Sequence, residues 1–200
     1  MSAPPLAPVT EADRTLHADV TAVLAAWPAP NPGQAAVREA FLGFLAARPD
    51  ATRRQCAPGH ITASAVVLSA DRRQVLLTLH PRIGRWVQLG GHCERTDRTL
   101  AGAALREATE ESGIDGLLID PVPVHLDVHP LTCSLGLPTR HFDVRFRIIA
   151  PAGARPVISH ESDDLRFWPV DDLPPGFDRA DRELIAAALD PPDPEMTTPL

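Results

Sequence analysis

The stretch Arg106-Glu107-Ala108-Thr109-Glu110-Glu111-Ser112-Gly113 carries the densest chemistry in the chain. Wound as a helix, it sets Glu107, Glu110 and Glu111 within an arc of about 100° on one side. Like charges at these spacings repel by roughly a few tenths of a kcal/mol per pair, and Glu110 and Glu111 sit at the negative end of the helix macrodipole. Arg106 offsets part of this through Glu110. However, Arg placed N-terminal to Glu is the weaker ordering of an i,i+4 pair, and one guanidinium does not neutralise three carboxylates. A hard divalent cation such as Mg²⁺ does: it takes oxygen ligands, keeps several waters and is typically held by carboxylates while bridging substrate phosphates. The competing reading is a solvated acidic helix face.

The elements that must position this patch follow from periodicity. A helix over Thr99 to Ser112 is stopped at Gly113 as a C-terminal glycine stops it. Ahead of it, Trp86-Val87-Gln88-Leu89-Gly90-Gly91-His92-Cys93-Glu94 puts two glycines directly after a strand, where backbone can approach a metal or phosphate closely. Strand patterns run over Ile61 to Leu68, Gln74 to Leu79, Trp86 to Leu89, Pro123 to Val128, Phe142 to Ile149 and Leu165 to Val170. A last helix is expected near Asp178 to Leu189, followed by a Pro- and Asp-rich tail over 191–200, expected to be flexible. At the other end, Leu16, Val20, Val23, Leu24 and Trp27, then Val37, Phe41, Phe44 and Leu45, form two apolar stripes separated by Pro28-Ala29-Pro30-Asn31-Pro32-Gly33, which predicts a helical hairpin. The expected architecture is α/β, a mixed β-sheet sandwiched between helices, with that hairpin as an N-terminal extension over residues 1–57 and the main domain over 58–190.

Composition narrows the partners. The 200 residues carry 19 basic and 26 acidic side chains for a net charge of −7, which argues against a nucleic-acid backbone or an anionic membrane as the main partner. Every Lys/Arg position is arginine, a residue suited to bidentate contact with phosphate, although coding bias in an Ala-, Pro- and Arg-rich chain is the favoured explanation. Cys56, Cys93 and Cys133 form no C-x-x-C unit, so thiols kept reduced in a cytoplasmic protein are expected. No apolar run reaches the length of a membrane helix, and no secretory leader is recognised.

Taken together, Gly90-Gly91-x-x-Glu94-x-x-Asp97 and Arg106-Glu107-x-x-Glu110-Glu111-x-Gly113-Ile114 resemble the Nudix box, the signature of hydrolases that cleave nucleoside diphosphates linked to another moiety. Asp97 stands where a glutamate is usual, and one extra residue separates it from Arg106. Gly59-His60-Ile61-Thr62-Ala63-Ser64-Ala65 and Arg85-Trp86-Val87-Gln88 add to the likeness, which covers roughly residues 58 to 173 and is similar to a bacterial subset with a longer box. The resemblance implies a Nudix-type α/β/α sandwich. It also implies Mg²⁺, with Mn²⁺ as a substitute, bound by Glu107, Glu110, Glu111 and the Gly90 carbonyl, with Arg106 as a box residue and water as the nucleophile. The general base is implied to be either a box glutamate or a loop residue, here Glu161 in His160-Glu161-Ser162-Asp163-Asp164.

Arg82 and Arg85, before the box, either clamp phosphate or solubilise the surface. His92 either contacts phosphate or caps a turn. Arg145 and Arg147 alternate with Phe142, Val144 and Phe146 as on a half-buried strand, with a substrate-facing arginine as the other reading. His60, His125, His129 and His141 show no i,i+4 metal pair and are expected to be structural or exposed. The N-terminal helices are read as covering the sheet, building a homodimer contact or closing as a lid. The expected activity is Mg²⁺-dependent hydrolysis of a nucleotide sugar or ADP-ribose-like substrate. The rival reading is a nucleotide-sensing module without turnover. An isomerase on the same fold ranks last, because Cys93 and Cys133 lack that group's cysteine motif.

Overall fold

The computed structural model describes residues 8–132, 136, 138–158, 162–177 and 179–190. In chain order the elements are α1 (Glu11–Ala26), α2 (Pro32–Ala47), β1 (His60–Leu68), β2 (Gln74–His80), β3 (Arg85–Val87), β4 (Leu89–His92), α3 (Leu100–Ser112), β5 (Leu118–Ile119), β6 (His125–Thr132), β7 (Pro138–Ile149), β8 (Asp164–Pro169) and α4 (Arg179–Leu189). The strands form a mixed sheet with the order β3-β2-β1-β7-β5, in which β4 also pairs with β1, β6 with β7 and β8 with β2. No described helix is long and apolar enough to cross a membrane. By internal packing the chain divides into two compact units, one within Met1–Thr62, His92–Leu100 and Leu126–Asp143, the other within Ala63–Gly91, Ala101–His125 and Val144–Leu200.

In the first unit the expected hairpin is present. Thr10 opens α1 with a reciprocal cap: the Asp13 N–H donates to Thr10 Oγ1 at 3.3 Å and the Thr10 N–H donates to Asp13 Oδ2 at 2.7 Å. Asn31 caps α2, and Pro32 takes its first position, where a missing N–H costs nothing. The α1 stripe of Leu16, Val20 and Leu24 is buried, as are Phe41 and Leu45 of α2. Phe44 stacks on Phe142 at 4.2 Å and Phe41 meets the same ring edge-on at 5.2 Å. The Gln34 amide reads the Leu126 backbone in both directions, accepting from its N–H at 2.8 Å and donating to its carbonyl at 3.1 Å, which ties α2 to β6. Gly59 lies so close to Phe142 and the Arg140 carbonyl that a Cβ there would meet them at 2.6 and 3.0 Å.

The second unit holds the layers the pattern predicts. All nine residues of β1 are buried, as expected of a strand covered on both faces. Successive side chains go to opposite sides: Ala65 and Val67 pack with Leu76, Leu89 and Ala108 of α3, while Val66 and Leu68 pack with Val75, Leu77 and the α4 residues Leu184, Ile185 and Ala188. The register Val67↔Leu76 and Leu68↔Val75 keeps each face continuous across β1 and β2. The run expected as one strand from Trp86 to Leu89 is two strands that part at Gln88, Trp86 pairing with Leu79 of β2 while β4 pairs with β1. Strand β6 is shifted from the expected Pro123 to Val128, starting at His125 and running to Thr132, β7 starts at Pro138, ahead of the expected Phe142, and β5 is a strand that the pattern does not predict.

Candidate active site on α3 and a histidine cluster

The glycine pair and the acidic face of α3 meet. Gly90 adopts φ +144°, a conformation L side chains rarely adopt, and a Cβ on it would strike Ser64 Cα at 2.5 Å and the Ala63 carbonyl at 2.7 Å. Its N–H donates to Glu111 Oε2 at 3.0 Å. At Gly91 the missing side chain makes room for the Glu107 carboxylate, whose atoms stand 2.7 to 2.9 Å from where a Cβ would be. Arg106 Nη1 donates to Glu107 Oε1 and to Glu110 Oε2, both at 3.0 Å; Glu107 is 14% exposed and Glu110 is 60% exposed. This donor set fits a hard divalent cation: it is all oxygen, two of its carboxylates are held against glycine backbone, and one arginine limits their repulsion.

The other candidates fall in different places. Arg82 is exposed in the turn after β2, its N–H donating to His80 Nδ1 at 3.2 Å. Arg85 reaches the Gly176 carbonyl at 3.0 Å and Asp181 Oδ2 of α4 at 3.1 Å. Arg145 is 8% exposed, with Nη1 lying 3.4 Å from His125 Nδ1. Arg147 is buried, pairs with Asp120 and donates to the carbonyls of Ala188 and Asp190 at the end of α4. Asp97 is buried and its Oδ2 accepts from the Glu94 N–H at 2.7 Å, closing the turn between them. Glu161 and Cys133 lie outside the described residues.

Among the described residues, three potential metal donors converge at one place, and it is not on α3. One ring nitrogen from each of His60, His92 and His141 lies within 4.8 Å of the others. The ring centroids are 5.0 Å apart for His60 and His92, 4.9 Å for His60 and His141, and 5.0 Å for His92 and His141. Burial, followed by mutual repulsion within the cluster, lowers the pKa of His92 to about 3 and of His141 to about 4, and burial also lowers that of His60. Nε2 of His60 and Nε2 of His141 are buried with no hydrogen-bond partner among the described residues. Such an orphan atom costs about 1–3 kcal/mol.

The model of the NUDIX domain family matches residues 58–188. The chain belongs to the Nudix family. It is accordingly a hydrolase of the kind that acts on pyrophosphate bonds. Similar solved structures include a NUDIX-family hydrolase from Clostridium perfringens, 22% identical, covering 64% of this chain and 93% of that one with a TM-score of 0.49. They also include an Ap4A hydrolase from C. elegans in a binary complex, 17% identical over 64% and 93% of the two chains, TM-score 0.47. A third is the NUDIX domain of Shewanella oneidensis NrtR complexed with ADP ribose, 20% identical over 56% and 74%, TM-score 0.42. No curated protein matches.

In this Nudix chain the α3 constellation was legible because helical spacing alone brings its members together. The histidine cluster was not: His60 opens β1, His92 closes β4 and His141 lies in β7. The signal that was present, a glycine directly before His60 and before His92, marks close backbone approach rather than a ligand set.

Proposed function

We propose that this Nudix hydrolase cleaves the diphosphate bond of a nucleoside diphosphate linked to another moiety, such as a nucleotide sugar or an ADP-ribose-like compound, with Mg²⁺ held by Glu107, Glu110, Glu111 and the Gly90 carbonyl, and Mn²⁺ as its substitute. The observation that carries this reading is the approach of Glu107 and Glu111 to the Gly91 and Gly90 backbone. When bound, such an ion polarises the diphosphate and favours deprotonation of water. The chain's own groups do the rest. Arg106 orients Glu107 and Glu110, the Gly90 N–H orients Glu111, and Gly91 leaves the space Glu107 occupies. Water attacks phosphorus, a carboxylate accepts its proton, and the bridging oxygen leaves with the second phosphate. Glu161 or a box glutamate is proposed as that base. Residues 58–190 are taken as the catalytic domain, in keeping with the family match over 58–188, and 1–57 as an appended segment.

The test is product release from a panel of nucleoside diphosphate derivatives with and without Mg²⁺, beside Glu110→Gln. Mg²⁺-dependent cleavage abolished in a folded Glu110→Gln is the expected result. Unchanged turnover in that variant removes the metal assignment, and binding without cleavage across the panel favours a nucleotide-sensing module.

A further inference from the structure

We propose that His60, His92 and His141 form a second metal site in this protein, an all-imidazole site for a borderline transition-metal cation of the Zn²⁺ class, built from none of the groups assigned to Mg²⁺. Zn–N bonds of about 2.0–2.1 Å in a tetrahedral site place the nitrogens about 3.4 Å apart. Donors already within 4.8 Å of one another need each move by less than about 1 Å to reach that geometry. All three residues lie on strands, which hold ligands more precisely than loops.

A packing role does not account for the polar atoms. A structural core histidine satisfies both ring nitrogens, whereas Nε2 of His60 and of His141 is buried with no hydrogen-bond partner among the described residues. At His60 the other nitrogen, Nδ1, faces the Cys56 carbonyl at 3.5 Å. A carbonyl only accepts, so this contact puts the proton on Nδ1 and leaves a lone pair on Nε2, the arrangement in which a second-shell carbonyl orients a ligating imidazole. Beside the trio, the His129 ring lies 5.3 Å from His141, and its Nδ1 donates to Asp127 Oδ2 at 2.7 Å, which fixes a further imidazole in the same tautomer. The chemical class follows from the donors: imidazole suits Zn, Cu, Ni and Fe, and Mg²⁺ prefers oxygen.

The experiment is titration of tag-free, chelator-stripped full-length protein with Co²⁺ and Zn²⁺. One equivalent of Co²⁺ is expected to bind with the intense visible bands of a tetrahedral nitrogen site, and Zn²⁺ is expected to displace it. At a hundredfold excess over Kd, Zn²⁺ is expected to raise Tm by about 5–10 °C. His60→Gln, His92→Gln and His141→Gln should each weaken this binding at least a hundredfold, while Glu110→Gln binds Co²⁺ as the parent does. Absence of the intense bands from the parent overturns the proposal without recourse to any variant. Intense bands kept in the three glutamine variants, or lost in Glu110→Gln, also overturn it. The Mg²⁺ activity assay is read separately, so failure of one assignment leaves the other standing.

Discussion

A methyl group added at Gly90 meets backbone, Ser64 Cα at 2.5 Å and the Ala63 carbonyl at 2.7 Å, in a residue whose φ of +144° already disfavours any side chain. The atoms nearest the same group at Gly91 belong to the end of a flexible side chain, the Glu107 carboxylate. The two substitutions therefore separate folding from chemistry. Gly90→Ala is expected to lose about 2–5 kcal/mol in chemical denaturation. Gly91→Ala is expected to stay within about 1 kcal/mol of the parent while kcat falls about 10- to 100-fold, because a carboxylate displaced by about an ångström no longer meets its partners. Equal losses of stability in both would place the role of Gly91 in packing. The glutamates of α3 could be read from the sequence because their geometry is local. Arg85 could not: its contact with Asp181 joins residues far apart in the chain, and a guanidinium next to a candidate site reads the same whether it holds phosphate or a helix.

At the scale of elements, α3 begins at Leu100, and its first N–H has no partner within the helix. Asp19 of α1 accepts it at 2.7 Å. Burial, the largest effect on Asp19, raises its pKa above 3.8 despite this hydrogen bond. A carboxyl with a raised folded pKa binds more protons folded than unfolded, so its contribution to stability is greatest below 3.8 and is lost as pH rises through the folded value. Asp19→Asn, which keeps the acceptor and removes the charge, is expected to match or exceed the parent at pH 7, with the difference closing toward pH 3. Asp19→Ala is expected to lose about 1 kcal/mol at pH 7. Denaturation curves at both pH values check this, and an Asn variant weaker than the Ala variant would contradict it. Elements whose pattern is long were legible: β1, β2, α1, α2 and α3 all appear where periodicity puts them. The break at Gln88 was hidden because apolar texture reports burial, not which neighbour a strand pairs with, and the two residues of β5 are too few to show a period.

For the molecule as a whole, the second unit encloses an ion pair between Arg147 of β7 and Asp120. Removing one partner leaves the other charge buried, so Asp120→Ala and Arg147→Ala are each expected to cost about 3–5 kcal/mol. The double variant should lose less than the sum of the two, as a double-mutant cycle by chemical denaturation would reveal; strict additivity would count against a direct pair. The alternation of Phe142, Val144 and Phe146 with the arginines predicted the strand, but not that Arg147 would be buried with a carboxylate.

Arg147 also touches the end of α4, donating to the carbonyls of Ala188 and Asp190. Those acceptors set a limit on how far the chain can be shortened. A version ending at Asp190 keeps both of these carbonyls, whereas one ending at Ala186 removes them together with Ala188, a residue of the core under α4. The least length of α4 that this guanidinium needs is thus set by a single strand residue more than forty positions upstream.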